Sequence, residues 1–326
     1  MKIRRAAWLR RRPQTAPSFG VALGLAMVLA RANAAVAETD RAPVVVALDP
    51  GHGGTNLGAS GPVAGLYEKN VTLALAQRVR ALLEAPSDEQ GREQPAFRVV
   101  LCRTTDRLVP IRARARCAQE SGARLFLSLH TNAVPAGVTP GSQRGFEVFL
   151  LGPREVEDDA ALAALRERDD AEAAWQAHVV RAAGERAIAL ARFVDEALAR
   201  ELGAGARRGV KQSGAALDVL RGAGTPAALV EVGFLDAPPR GQGEDGEGAR
   251  LASASGREPI ARALAAAVRA FVQTSVENGA DPGQPRRPRS PGRLATPPSR
   301  AHVQARLQAH ADATAPTAAA APARSR

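Results

Sequence analysis

The residues best suited to chemistry in this chain stand at the ends of three short apolar runs. His52, His130 and Glu231 each follow such a run within four residues, and Glu68 opens a segment with helical spacing. In an open α/β sheet the ends of parallel strands gather at one edge, where ligands bind. Two imidazoles and one carboxylate can hold a single zinc ion with a position left for water, and the other carboxylate can act as a base. The pattern therefore favours a metal hydrolase.

The elements that must position these residues alternate between strands and helices. This order predicts an α/β fold, with one domain built on a twisted, mostly parallel sheet of about six strands flanked by helices. The apolar runs predict strands at Val44–Leu48, Phe97–Leu101, Leu125–Leu129, Phe146–Leu151 and Ala227–Val232. Apolar residues at helical spacing predict helices after Glu68 and at Pro110–Gln119, Ala187–Leu202 and Pro259–Val272.

The net charge of +11 is confined to the two ends of the chain. Residues 1–37 hold seven cations and no acid, and residues 274–326 hold eight arginines against three acids. The region between them is therefore close to neutral, and aromatic residues make up only 3% of the chain. A nucleic-acid-binding protein would carry its positive charge on the folded part, so we expect no nucleic-acid partner.

The ends of the chain differ from the middle in composition. Residues 1–37 have the layout of a signal peptide, with an arginine-rich start, the apolar stretch Phe19–Ala30 and the small-residue site Ala35-Val36-Ala37. We therefore expect export to the periplasm or cell envelope, by the general secretory or the twin-arginine route, with peripheral or no membrane contact. Residues 38–43 form a short linker, residues 44–273 the catalytic domain, and residues 274–326 a disordered tail rich in Pro, Ala and Arg.

Seven short motifs, spread in order over residues 44–272, resemble the zinc-dependent N-acetylmuramoyl-L-alanine amidases of bacterial cell-wall turnover and daughter-cell separation. A single motif is weak, because Asp-Pro-Gly-His alone is a common loop, but seven in the same order are specific. The motifs are Leu48-Asp49-Pro50-Gly51-His52-Gly53-Gly54, Glu68-Lys69-Asn70, Arg103-Thr104-Thr105-Asp106, Ser128-Leu129-His130-Thr131-Asn132-Ala133, Gly145-Phe146-Glu147-Val148, Val219-Leu220-Arg221 and Leu229-Val230-Glu231-Val232-Gly233-Phe234-Leu235.

The resemblance implies one zinc ion held by His52, Glu68 and His130, with Glu231 as the catalytic carboxylate. The implied reaction is hydrolysis of the amide between the lactyl group of N-acetylmuramic acid and the L-alanine of the stem peptide in peptidoglycan. Two rival functions stay open: a catalytically inactive wall-binding module, and a zinc hydrolase of another envelope peptide bond. We expect a monomer.

Four further residues are candidates for supporting roles. We expect Asp49 to fix its loop or to orient His52, and Asn132, Glu147 and Arg221 to be structural or to position the substrate. Cys102 and Cys117 are the only cysteines. In an oxidising compartment they can form a disulfide, and the alternative is two buried free thiols.

A segment rich in Ala, Arg, Asp and Glu, Gly152–Arg186, separates the fourth predicted strand from the next helix. We expect it to be a helical insert that starts beside the metal. In division-associated members of the resembling family an insert at this place covers the zinc and is withdrawn by an activator protein. Leu165-Arg166-Glu167-Arg168-Asp169-Asp170 resembles the pattern of that insert and makes Asp169 a candidate regulatory residue, although the longer Glu that is usual there would be better suited to ligate zinc. The alternative is a solvated helical hairpin.

Overall fold

One sheet of six strands organises the chain in the computed structural model, which describes residues 42–62, 64–86, 96–213, 217–239, 241, 246–279, 281–283, 285, 301 and 305. Its order is β2-β1-β3-β6-β4-β5. Strands β1, β2, β3 and β6 are mutually parallel, which confirms the predicted α/β fold. The strands are β1 (Val44–Pro50), β2 (Phe97–Leu101), β3 (Leu125–Asn132), β4 (Phe146–Leu151), β5 (Arg207–Ser213) and β6 (Ala227–Phe234).

Strand β4 reverses the direction of the sheet. It pairs antiparallel with β6, so that Glu147 lies opposite Glu231, and β5 runs parallel to β4. We call the edge at which β1, β3 and β6 end the carboxyl edge, and the opposite one the amino edge. Strands β4 and β5 therefore begin at the carboxyl edge and end at the amino edge.

Helices on one face of the sheet bury most of the core; we call this the first face, and it carries Val46 and Leu48 of β1. In α1 (Glu68–Glu84), Val71, Leu75 and Val79 recur every four residues and are buried, as expected for one face of a helix. The first face is covered by α1, α4 (Asp170–Leu202) and α6 (Ala254–Glu277). The helices are α1 (Glu68–Glu84), α2 (Ile111–Glu120), α3 (Pro153–Leu165), α4 (Asp170–Leu202), α5 (Glu247–Ala252) and α6 (Ala254–Glu277), with a short 3₁₀ helix at Ala204–Ala206.

The second face is covered by α2 and by the turn at residues 217–223. Leu217 and Leu220 of that turn pack with Phe126 of β3 in a smaller apolar cluster. Because side chains alternate along a strand, Phe126 and His130 of β3 lie on the same face. The candidate site therefore lies on the second face, toward the carboxyl edge.

A disulfide joins α2 to the end of β2. Cys102 follows β2, Cys117 lies in α2, and the two residues are bonded with their Cα atoms 5.6 Å apart. Of the two states that the sequence left open, the structure has the bonded one.

The insert begins at the amino edge, so the expectation that it starts beside the metal was wrong. The reason is the direction of β4, whose end at Leu151 lies next to the start of β6. The insert consists of α3 and the first half of α4, which continues without a break to Leu202. At about 1.5 Å per residue, the 33 residues of α4 span about 50 Å, roughly twice an eight-residue strand. The predicted helix Ala187–Leu202 is only its second half.

Several predictions concern residues outside the described ranges. The signal peptide at residues 1–37 lies wholly outside them, and so does most of the linker and of the tail. The last helix continues to Glu277, four residues into the predicted tail. In the described part of the chain, no helix combines the length and the apolar character that a membrane crossing requires.

Candidate metal centre

Three side chains from different elements meet at the carboxyl edge. His52 follows β1, Glu68 is the first residue of α1, and His130 lies near the end of β3. The Glu68 carboxylate lies between the rings, with His52 Nε2 3.1 Å from Oε2 and His130 Nδ1 2.9 Å from Oε1. One ligand atom from each residue falls within 4.8 Å of the other two. Two imidazoles and a carboxylate at this separation fit a zinc ion, and the three predicted ligands are the residues that come together.

The Glu68 carboxyl is kept ionised in the folded protein. Burial alone would raise the pKa of Glu68, but hydrogen bonds from His130 and His52 outweigh it and hold the pKa well below its usual range. Burial alone would lower the pKa of His130, but the Glu68 hydrogen bond and the charge of Glu231 raise it. The backbone N–H groups of Thr131 and Ala59 donate to Glu68 at 2.9 and 2.8 Å. The carboxylate is therefore held ionised and in place.

The ring of His52 is oriented by Asn56. Its Nδ1 lies 2.9 Å from Asn56 Oδ1, which assigns the proton to Nδ1 and turns Nε2 toward Glu68. His52 has φ 61°, the only positive φ of a non-glycine residue in the described ranges. Such a conformation costs about 1–3 kcal/mol and persists only where the surroundings enforce it.

Arg114 enforces the conformation of this loop from a buried position in α2. Its guanidinium donates to Asp49 Oδ1 at 2.6 Å, to Pro50 O at 2.8 Å and to His52 O at 2.7 Å. The other carboxylate oxygen of Asp49 accepts a hydrogen bond of 2.8 Å from Ser128. Asp49 thus holds the loop by balancing a buried cation, which agrees with the loop-fixing role expected for it.

Arg103 ties the same loop to the start of α1. It is fully buried and donates to Pro50 O at 3.2 Å, Gly51 O at 2.9 Å and Lys69 O at 2.9 Å. A side chain at Gly51 would overlap the ring of His130, so only glycine fits there. Sequence reasoning did not single out Arg103 or Arg114 as site residues. The only signal was an arginine inside a matched motif and another on a short helix.

Glu231 stands directly opposite His130 in the β3–β6 pair and opposite Glu147 in the β6–β4 pair. Burial raises the pKa of Glu231 to about 7, with the charges of Glu68 and Glu147 adding to the rise. Its Oε2 is buried and has no hydrogen-bond partner among the described residues. A buried carboxylate oxygen without a partner is costly, and beside three side chains that could hold a metal it is suited to contact an ion or a water molecule.

Asn132 and Glu147 form a polar group next to Glu231. The Asn132 amide donates to Glu147 Oε1 at 2.6 Å. Arg208 donates to Glu147 Oε2 at 2.9 Å, and Lys211 contacts the same oxygen. Both cations come from β5, which the sequence analysis did not identify because its residues are mostly polar.

Two further candidate residues have partners of their own. Arg221 pairs with Asp159 of α3, with Nε 2.9 Å from Oδ1, which agrees with the structural one of its two expected roles. Asp169 caps α4, where its Oδ1 accepts a hydrogen bond of 2.9 Å from the N–H of Glu172. The capping role explains this short acidic residue without a metal contact.

Proteins similar to this chain are consistently described as N-acetylmuramoyl-L-alanine amidases. A family model described as N-acetylmuramoyl-L-alanine amidase matches residues 46–270. N-acetylmuramoyl-L-alanine amidase AmiC of Neisseria meningitidis is 29% identical over 250 residues, which cover 72% of this chain and 54% of that protein. Probable N-acetylmuramoyl-L-alanine amidase AmiB of Haemophilus influenzae is 35% identical over 118 residues, which cover 36% of this chain and 24% of that protein. The matches thus span about half or less of these curated relatives.

A solved structure extends the likeness to three dimensions. N-acetylmuramoyl-L-alanine amidase AmiC2 of Nostoc punctiforme superposes with a TM-score of 0.50 at 27% identity, over 71% of this chain and 97% of that one. The family model itself spans more than half of the sequence. The chain therefore belongs to the N-acetylmuramoyl-L-alanine amidase family.

Proposed function

We propose that this protein is a zinc hydrolase that cleaves the amide between N-acetylmuramic acid and L-alanine in peptidoglycan. One observation carries the proposal. Three side chains with zinc-binding donors converge within 4.8 Å beside Glu231, whose Oε2 is buried and has no partner in the part of the chain that the structure describes, and the chain belongs to the amidase family.

His52, Glu68 and His130 would hold the ion. They supply three protein ligands, the number in catalytic zinc sites that keep one position open. When bound, zinc acts as a Lewis acid that polarises the scissile carbonyl and lowers the pKa of water toward about 7. The arginine-held loop fixes His52, and the hydrogen bonds from Thr131 and Ala59 fix Glu68, so the ligands need little rearrangement.

Glu231 would move the proton. Its free Oε2 accepts a proton from the water that attacks the carbonyl carbon, and then returns it to the amide nitrogen as the bond to L-alanine breaks. In the metal-free protein, burial raises the pKa of Glu231 to about 7, and a zinc ion beside it would lower that pKa and favour the ionised form that accepts the proton of the water. Glu231 can therefore serve as base and then as acid within one turnover.

Digestion of purified peptidoglycan tests the proposal. The zinc-loaded protein should release stem peptides with a free L-alanine amino group and leave the glycan strands intact, as judged by mass analysis. A chelator should stop the release, and Glu231→Gln should retain zinc without activity. Binding to the wall without release would indicate the inactive wall-binding module. Fragments cut within the peptide would indicate a hydrolase of another envelope bond.

The cellular setting belongs to the same proposal. We infer export to the periplasm or cell envelope, action as a monomer, and a role in cell-wall turnover and daughter-cell separation. An activator protein acting on residues 152–186 stays a prediction. Since the insert begins at the amino edge, we propose that such a partner acts through α4 or through the Asp159–Arg221 pair.

A further inference from the structure

An irregularity in β5 places two cations on one face of the sheet. Between the pairs Phe146–Arg207 and Val148–Val210, β5 advances three residues while β4 advances two, so β5 contains a bulge. Gly209 lies in this bulge with φ 84°, a conformation that glycine adopts without strain. Residues three apart on a regular strand point to opposite faces. The bulge instead brings Arg208 and Lys211 onto the same face.

The contacts of β5 confirm these directions. Arg208 and Lys211 both reach Glu147 Oε2, on the face that carries Glu231. Arg207 pairs with Asp195 of α4, and Val210 packs on the main core, so both lie on the other face. A regular strand would have directed one of the two cations away from the site.

The group formed by Glu147, Arg208 and Lys211 carries an excess of positive charge. One buried carboxylate, with 4% of its side chain exposed, faces two cations. The side chain of Lys211 is 40% exposed, and Glu147 is its only hydrogen-bond partner among the described residues. An ammonium has three N–H donors, so Lys211 can bind a second acceptor from solvent.

The location of this excess charge matches one part of the substrate. Neighbouring strands lie about 4.8 Å apart, so Glu147 on β4 is one strand from Glu231, and β5 is one strand further. An extended peptide advances about 3.5 Å per residue. A peptide whose scissile amide lies beside Glu231 and which runs across β4 would bring a group one to three residues beyond the amide to the two cations.

We propose that Arg208 and Lys211 form an anion subsite that recognises a carboxylate on the peptide side of the substrate, one to three residues beyond the scissile amide. This inference rests on the proposed function and adds a specificity determinant to it. Arg208 and Lys211 would contact the substrate carboxylate and so position the peptide. Glu147 holds the two cations in place, and its single negative charge leaves one positive charge in excess. A substrate with a carboxamide in place of that carboxylate loses the contact with the cations.

The test uses a pair of soluble ligands and two readouts. The ligands are N-acetylmuramoyl-L-alanyl-D-glutamate with the γ-carboxyl blocked as an amide in both and with either a free α-carboxylate or an α-carboxamide. Hydrolysis by the zinc-loaded protein gives kcat and KM for both. Equilibrium binding to the Glu231→Gln variant gives an affinity that does not depend on turnover. We expect the carboxylate form to be favoured about tenfold, through KM and affinity, as for one charge-assisted hydrogen bond.

Lys211→Met should remove this preference while zinc content stays that of the parent, because Arg208 still pairs with Glu147. Lys211→Arg should keep it, because the positive charge is retained. Arg192→Met is the matched control, since Arg192 is an exposed cation of α4, and it should change neither ligand's constants.

Equal affinity of the Glu231→Gln variant for the two ligands would overturn the inference, and so would a preference that survives when Lys211→Met and Arg208→Met are both added to that variant. A preference of Glu231→Gln for the carboxylate in the binding assay, together with a zinc-loaded parent that leaves the wall uncut, would refute the proposed function alone.

Discussion

Replacing Glu231 with glutamine should stabilise the metal-free protein in a pH-dependent way. The pKa of this carboxyl rises from about 4.5 to about 7 on folding, chiefly because it is buried. A raised pKa means that the folded state binds the proton more tightly than the unfolded state does. The stability from protonated Glu231 is therefore fully present below pH 4.5 and is lost as the pH rises to 7. Glutamine carries no charge at any pH, so the variant does not lose stability in this way as the pH rises.

The size of the effect follows from the shift. A difference of about 2.5 pKa units corresponds to roughly 3 kcal/mol in the free energy of unfolding, as an upper bound. We expect Glu231→Gln to match the parent at pH 4 and to exceed it by up to about 3 kcal/mol at pH 8. Bound zinc places positive charge beside the carboxylate, so the difference at pH 8 should shrink in the zinc-loaded protein.

Urea denaturation of chelator-treated protein at both pH values measures this difference. Glu120→Gln is the control, because Glu120 is an exposed acid at the end of α2 and its removal should have little effect. An equal stability difference at pH 4 and pH 8 would show that Glu231 is not a buried carboxyl with a raised pKa. Glu231 Oε2 would then have no support as the atom that transfers the proton during hydrolysis.

Four more outcomes are expected. His130→Ala should lower zinc content, measured by elemental mass spectrometry, to a small fraction of the parent's, since three ligands leave no redundancy; stoichiometric zinc with full hydrolysis would refute the assignment. Thiol labelling of the denatured, unreduced protein should find no free Cys102 or Cys117, and reduction should cost about 3 kcal/mol of stability; two labelled thiols would refute the bond. Arg114→Leu should cost about 3–5 kcal/mol in a denaturant titration, because it leaves a buried carboxylate unpaired; near-parent stability would mean that the loop is held by other contacts. Asp169→Ala should cost about 1 kcal/mol as a lost helix cap, with zinc content and hydrolysis unchanged; a faster enzyme would restore the regulatory role that the sequence suggested.

The strand ends that carry the chemistry could be predicted from the sequence. Val44–Leu48, Leu125–Leu129 and Ala227–Val230 are apolar because both faces of a central parallel strand are covered, and this composition is visible without a structure. The residues that follow each run, up to four positions on, then lie at the carboxyl edge by topology alone. His52, His130 and Glu231 were found in this way, and Glu68 was found because it opens the next helix.

The direction of β4 and the existence of β5 could not be predicted in the same way. An apolar run such as Phe146–Leu151 is expected equally in a parallel and in an antiparallel buried strand, so its sequence does not indicate the strand's direction. The insert was therefore predicted at the wrong edge of the sheet. Strand β5 lies at the edge of the sheet and is mostly polar, so it lacks the apolar signal of the central strands. Arg114 was missed because an arginine on a short helix normally faces solvent.

The two buried arginines also bear on whether the fold needs a metal ion in order to form. Arg103 and Arg114 together bind the carbonyl groups of Pro50, Gly51 and His52, so the loop takes its shape from contacts within the chain. A small zinc finger, by contrast, folds only as it captures its ion. Here the loop that carries His52 takes its shape from the chain itself, so we expect the protein to fold without the ion and to take up zinc afterwards.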